Sequence, residues 1–198
     1  MKVNLTVKSD LLGLLHQRLS HQPFQFQKDH RARPAAVLVP LYQHDDVWHV
    51  LFTRRTESVE DHRGQVSFPG GMIESDDESP EQAALRESEE EIGIKAGDVN
   101  ILGALDPIPT ITQFIIVPIV GSIPWPYPLQ INHAEVAATF GVPLEWLADP
   151  ANLEIRQWQP QSNGSSYAIH FFQPYQGEVI WGATARITVS LLELILSP

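Results

Sequence analysis

The sequence predicts a single domain of the α/β or α+β class, and three observations predict it. Apolar runs with strand character alternate with segments of helical spacing along the whole chain. One segment near the middle carries a full set of helix start and stop signals. The chain has 198 residues, 43% of them apolar, enough for one core and short of two full domains. A chain of this size buries about 70% of its unfolded surface. The expected domain spans 1–198, with 1–33 as an N-terminal helix and connector and 34–198 as the core.

Each element has a local reason. Asp10 to Leu19 shows helical spacing, with Ser9 or Asp10 able to cap its start. A polar connector from Gln22 to Arg33 leads to the compact apolar run Pro34–Leu41. The turn Gln43–Asp46 and the strand Val47–Phe52 follow. Thr53 to Gly71 is polar and rich in Arg, His and Gly, which suits a loop. The central helix is expected over Pro80–Ile92: Ser79 is its N-cap, Pro80 suits the first position, Gln82 completes a capping box and Gly93 ends it. Strands are expected near Val99–Asp106 and Phe114–Val120, then a proline-rich crossing and a strand over Ala134–Pro143. Leu144–Ala148 starts a short helix, Tyr167–Phe172 and Val179–Ile180 suggest a hairpin, and Thr184–Leu196 is a closing amphipathic helix. No internal repeat or low-complexity tract interrupts this order.

Charge and composition narrow the function. Lys plus Arg is 13 and Asp plus Glu is 24, a formal net charge of −11, which argues against nucleic acid or an anionic membrane as partner. Any phosphate must then be held by local cations. With no cysteine there is no thiolate metal site or thiol nucleophile. The patch Leu11–Leu15 is too short for a signal peptide, and Pro118, Pro124, Pro126 and Pro128 break the most apolar stretch. A cytoplasmic location is expected.

The central helix is unexpectedly acidic. Glu87, Glu90 and Glu91 share a face, where like charges repel by a few tenths of a kcal/mol per pair, and they sit in the C-terminal half, where the macrodipole disfavours anions. Glu89 adds a fourth carboxylate beside this face, and Arg86 can relieve one neighbour, Glu89 or Glu90, but not all four. A solvated acidic face is the ordinary meaning of such a run. Here Arg54, Arg55, Arg63 and the turn Pro69-Gly70-Gly71 lie just upstream. A basic loop, a glycine turn and clustered oxygen ligands together suit a diphosphate bridged by Mg²⁺ or Mn²⁺.

At these residues the sequence resembles a known family. Arg86-Glu87-Ser88-Glu89-Glu90-Glu91-Ile92-Gly93-Ile94 is similar to the second half of the Nudix box, G-x5-E-x7-R-E-U-x-E-E-x-G-U, with Glu78 at its first Glu. Two positions depart from it. The strict register puts the first Gly at Met72, so the Gly70-Gly71 loop is one residue longer and Asp76 or Asp77 can stand in for Glu78; Ser88 fills a position usually aliphatic or small. Leu51-Phe52-Thr53-Arg54-Arg55-Thr56 and Gly64-Gln65-Val66-Ser67-Phe68-Pro69-Gly70-Gly71 resemble the signature preceding the box in coenzyme A pyrophosphatases, except that Glu60 stands where the pattern has Arg. The similarity extends through Val117–Gly121, Glu135-Val136, Val142–Leu144 and Trp181–Ala185, covering about Pro34 to Leu194.

The resemblance implies a mixed β-sheet sandwiched between α-helices and a metal-dependent diphosphate hydrolase. Glu87, Glu90 and Glu91 would bind Mg²⁺ or Mn²⁺, with the Gly71 carbonyl as a further ligand. Glu90 is the first candidate for base character and Glu135 the second, while Arg86 orients the carboxylates by a forked ion pair. Arg55, Arg63, His62 and Gly70 are the substrate-binding candidates. The implied substrate is a small nucleotide diphosphate, coenzyme A or a derivative; ADP-ribose, NADH or an oxidised nucleotide, or a silent nucleotide-sensing domain, are the alternatives. A homodimer is compatible with the resemblance. His16, His21, His44 and His49 lack the spacing of a metal pair and are expected at the surface. Trp125, Trp146, Trp158 and Trp181 could stack on a base, though buried aromatics are usually core.

Overall fold

The computed structural model describes residues 10–19, 32–57, 64–159 and 166–197. Helix α1 (Leu11–Arg18) is capped by Asp10, whose side chain accepts from the Gly13 N–H at 2.8 Å. Strand β1 (Arg33–His44) turns into β2 (Val47–Arg55) through Asp45 and Asp46, both left-handed with φ of 49° and 61°. That pair gives the tight two-residue hairpin turn whose twist matches its strands. The short β3 (Val66–Ser67) and β4 (Gly70–Met72) precede α2 (Pro80–Ile92). Then come β5 (Asn100–Ala104), β6 (Ile108–Pro109), β7 (Phe114–Ser122), β8 (Val136–Pro143) and α3 (Leu144–Leu147). The hairpin β9 (Leu153–Trp158) and β10 (Tyr167–Phe172) and helix α4 (Gly182–Leu196) complete the chain.

The sheet is mixed because β1 runs parallel to β7 and antiparallel to β2 and β4. β2 pairs with β1 only over Leu41–His44 and then with β3 on that edge, while β8 runs along its other edge from His49 to Arg55, and β4 takes the place of β2 beside Ala35–Val37. This fork delivers the glycines of β4 to the centre of the fold.

Alternation along the strands builds two cores. Ala36, Leu38 and Tyr42 of β1, Leu51 of β2 and Val117 and Ile119 of β7 pack with Ala83, Ala84 and Ile92 of α2. Val39 and Leu41 of β1, Val50 and Phe52 of β2 and Val120 of β7 face the other way, onto Ile187, Leu191 and Ile195 of α4. Leu11, Leu15 and Leu19 join this second core, and the Arg18 guanidinium donates to the carbonyls of Leu194 and Ser197 at 2.8 and 2.9 Å. The N-terminal helix is therefore sealed to the closing helix.

Several elements differ from expectation. β2 runs on through Thr53, Arg54 and Arg55, and β3 and β4 form inside a segment expected as loop, because β8 and β1 supply partners distant in sequence. Tyr167–Phe172 pairs with Leu153–Trp158, not with Val179–Ile180; Ile180 only accepts the Phe172 N–H at 2.8 Å. Trp158 and Trp181 are exposed, while Trp125 stacks on the buried Tyr42. Of the histidines expected at the surface, His16 and His44 are exposed and His21 lies outside the described residues, while His49 is half-buried and stacks on Tyr42.

Candidate active site

Helix α2 begins and ends where its local signals require. The Ser79 hydroxyl accepts from the Gln82 N–H at 3.2 Å, and the Gln82 side chain accepts from the Glu78 N–H at 2.7 Å. Gly93, left-handed at φ 74°, closes the last turn through its N–H to the Glu89 carbonyl. Ser88 is fully buried, and its hydroxyl donates to the Ala84 carbonyl at 2.6 Å. A small side chain that satisfies its own polar group can occupy this aliphatic position.

The three carboxylates of α2 occupy different depths. The side chain of Glu91 is 3% exposed, that of Glu87 17% and that of Glu90 57%. Gly71 is what lets Glu87 approach: a Cβ there would lie 2.5 Å from the Glu87 carboxylate. Gly70, at φ 150°, sits against the Ala36 carbonyl and has its N–H directed at Glu91 Oε2, 3.4 Å away. The glycine strand and the acidic helix are thus in direct contact.

Arg86 lies at the hub. Its Nε and Nη2 donate to the two Asp77 oxygens at 3.2 and 3.1 Å, its Nη1 to Glu87 at 2.9 Å, and its Nη2 to the Met72 carbonyl at 3.2 Å. Glu90 lies 3.5 Å from Nη1. A forked pair is present, but with Asp77, 4% exposed, and not with a box carboxylate as expected: Glu87 takes a single bond, and Glu78 and Asp76 are exposed. The Arg86 guanidinium holds the Asp77 carboxyl below the usual range, and Asp77 in turn raises Arg86.

Arg55 reaches the cluster from β2, where a register shift against β8 between Arg54 and Arg55 re-aims the strand. Its Nη1 is 3.6 Å from Glu91 Oε1, and its buried Nε has no partner among the described residues. Glu135 approaches from the segment before β8, close enough that its charge acts on both Glu87 and Glu91. Burial is the main reason both are raised, Glu91 to about 8, with Arg55 and the Gly70 N–H opposing the rise at Glu91.

The structure therefore gathers Glu87, Glu90, Glu91, Arg86, Arg55, Glu135, Gly70 and Gly71 in one region. Arg86 and Arg55 hold the carboxylates, and among the described residues no three acidic or histidine side chains converge as a ready metal-ligand set. His62 and Arg63, like Glu60, lie outside the described residues. Two further contributors gain a role only in the folded structure. Thr53, fully buried, donates to the Ser67 carbonyl at 3.2 Å and fixes the strand entering the glycine turn. Asn132 bonds to Glu135; only its turn-forming residue type marks it in the sequence.

The family model for the NUDIX domain matches residues 32–162. The chain is 36% identical over 170 residues to an uncharacterized Nudix hydrolase, NudL, of Enterobacter sp. (strain 638), covering 84% of this chain and 85% of that one. In fold it is similar to a MutT/nudix family protein from Enterococcus faecalis, with a TM-score of 0.52 and 14% identity over 93% of this chain and 72% of that one. A Nudix hydrolase from M. smegmatis, RenU, has a TM-score of 0.50 and 22% identity over 60% of this chain and 74% of that one. With the box residues clustered on α2 and the glycine strand against them, the chain belongs to the NUDIX family and is a Nudix hydrolase, acting on nucleoside diphosphate derivatives.

Proposed function

We propose that this enzyme hydrolyses the diphosphate of coenzyme A or a derivative, giving phosphopantetheine and adenosine 3′,5′-bisphosphate, with Mg²⁺ or Mn²⁺. The observation that carries the proposal is Arg55. It stands on the strand bearing the coenzyme A pyrophosphatase-like signature, beside Glu91, with a buried Nε that lacks a partner among the described residues. A buried donor beside an acidic cluster is suited to a phosphate oxygen, and leaving it unpaired costs about 1–3 kcal/mol.

The donor types, carboxylates with a backbone carbonyl, suit a hard divalent cation that would draw them together. Glu87 and Glu91 are raised mainly by burial, which a bound cation would offset, and Gly71 leaves space that a Cβ would fill. Glu87, Glu90 and Glu91 would hold the ion, with the Gly71 carbonyl. When bound, the cation supplies charge neutralisation at the diphosphate oxygens and activation of a water. Arg86 keeps Glu87 and Glu90 on the same side of the helix, and Arg55 binds a non-bridging phosphate oxygen. Glu90, the most exposed of the three, accepts the water proton; Glu135 is the second candidate.

The test is product release with Mg²⁺ or Mn²⁺ across coenzyme A, dephospho-coenzyme A, ADP-ribose, NADH and 8-oxo-dGTP. Preference for coenzyme A over its dephospho form is expected. A clear preference for ADP-ribose or another compound overturns the substrate and points to Glu60, an acid at a signature Arg position, as the mark of a changed pocket. The absence of cysteine suits a reducing compartment, and a cytoplasmic location is part of the proposal.

A further inference from the structure

We infer that Asn132 is a positioning residue for the reaction, its side-chain amide holding the Glu135 carboxylate at the acidic face of α2. The inference rests on Glu135 belonging to the active site.

The segment carrying both residues is hung from the end of α2. The Gln130 N–H donates to the Ile92 carbonyl at 3.0 Å and the Asn132 N–H to the Glu91 carbonyl at 2.9 Å. These two donors satisfy carbonyls that the end of a helix leaves unpaired. The approach is close: a Cβ at Gly93 would lie 2.8 Å from Gln130 Cβ. The last turn of α2, which bears Glu90 and Glu91, and the Glu135 segment are therefore one connected unit.

From that anchor Asn132 folds the chain back. Its carbonyl accepts the N–H groups of Glu135 and Val136 at 3.0 and 2.9 Å, and its Oδ1 accepts the Ala134 N–H at 3.1 Å. With Oδ1 committed to Ala134, the amide nitrogen must face the other way, and Nδ2 donates to Glu135 Oε1 at 3.2 Å. On the far side, Thr56 of the chain leaving β2 fixes the same turn, its N–H to the Glu135 carbonyl at 2.9 Å and its hydroxyl to Ala134 at 3.1 Å. The backbone of Glu135 is held at both ends, its N–H by the Asn132 carbonyl and its carbonyl by the Thr56 N–H. Its side chain is held by Asn132 alone among the described residues, in a region made acidic by Glu87 and Glu91. Without the amide, charge repulsion and solvation favour a rotamer turned away from the cluster.

The substitution Asn132→Asp separates this role from a structural one. It keeps the oxygen that accepts from Ala134 and removes the donor to Glu135. Steady-state kinetics and melting temperature are compared for the wild type, Asn132→Asp, Glu135→Gln and the double variant, on whichever diphosphate substrate turns over fastest. We expect Asn132→Asp to lower kcat about 10–100-fold, as loss of an orienting partner does, with KM and melting temperature nearly unchanged. In the Glu135→Gln background the same change has no further effect. Wild-type kcat in Asn132→Asp, or losses that multiply in the double variant, overturns the inference. Wild-type kcat in Glu135→Gln overturns it together with the placement of Glu135. A different preferred substrate removes the coenzyme A proposal alone and leaves this one standing.

Discussion

Gly71 shows how much of the site is decided by a single missing atom. The nearest obstacle to a Cβ there is the end of the Glu87 side chain at 2.5 Å, a flexible group that can move aside. Gly71→Ala should therefore fold, with a melting temperature close to wild type, while activity falls about 10–100-fold as Glu87 is displaced. Gly70 is different, since its Cβ would meet the Val37 Cα at 2.6 Å, which is backbone. The residue scale was also where the sequence was least legible. Glu87, Glu90 and Glu91 follow from helical spacing, but the partner of Arg86 does not: Asp77 wins over Glu78 because its Oδ2 also caps the Glu74 N–H at 2.8 Å. Ser88 was legible as a departure from the pattern, and only the bond to Ala84 explains why a buried hydroxyl is tolerated.

At the scale of elements, α2 was legible in full because its signals are local. Ser79, Pro80, Gln82 and Gly93 set both ends, and the helix runs Pro80–Ile92 as their order requires. β9 and the extension of β2 were not, because their partners lie elsewhere in the chain and pairing overrides local polarity. The same helix sets an unusual pH dependence. Glu91 has an ordinary value of 4.5 and is raised to about 8 by burial, so between these values the folded protein holds a proton that the unfolded chain has released. Without metal, stability should fall as pH rises from about 5 to 8, and Glu91→Gln should flatten the slope. Asp77 works in the opposite direction: lowered by Arg86, it adds stability above its ordinary value of 3.8 that is lost on acidification through its folded value. Melting temperature against pH in EDTA checks this, and a flat wild-type curve from about pH 5 to 8 would falsify it.

For the whole molecule, the fork between β1 and β2 explains why a basic strand and an acidic helix meet. β4 enters the fork with Gly70 and Gly71 facing α2, while β2 carries Arg55 along β8 to the same place. The α/β class and the single-domain size follow from composition and alternation, but the fork depends on strand pairings that no local run encodes. Long-range charge is consistent with this arrangement. On the function proposed above, a chain with a net charge of −11 needs local cations to hold an anionic substrate, and among the described residues Arg55 stands beside the acidic cluster to supply one. Added Mg²⁺ should raise the melting temperature by mass action, by an increment that grows with the logarithm of concentration and is reversed by EDTA. No shift at millimolar Mg²⁺ counts against a cation held by the folded state.

The central claim is that the carboxylates of α2, from the exposed Glu90 to the buried Glu91, serve chemistry at a cost in stability. The rate of diphosphate hydrolysis and the melting temperature of Glu90→Gln and Glu91→Gln, measured side by side with the wild type in Mg²⁺ and in EDTA, test it most directly. The expected result is a rate lower by orders of magnitude in both variants, with melting temperatures in EDTA equal to or above that of the wild type. Equal turnover by all three proteins would contradict the assignment of these carboxylates to the reaction.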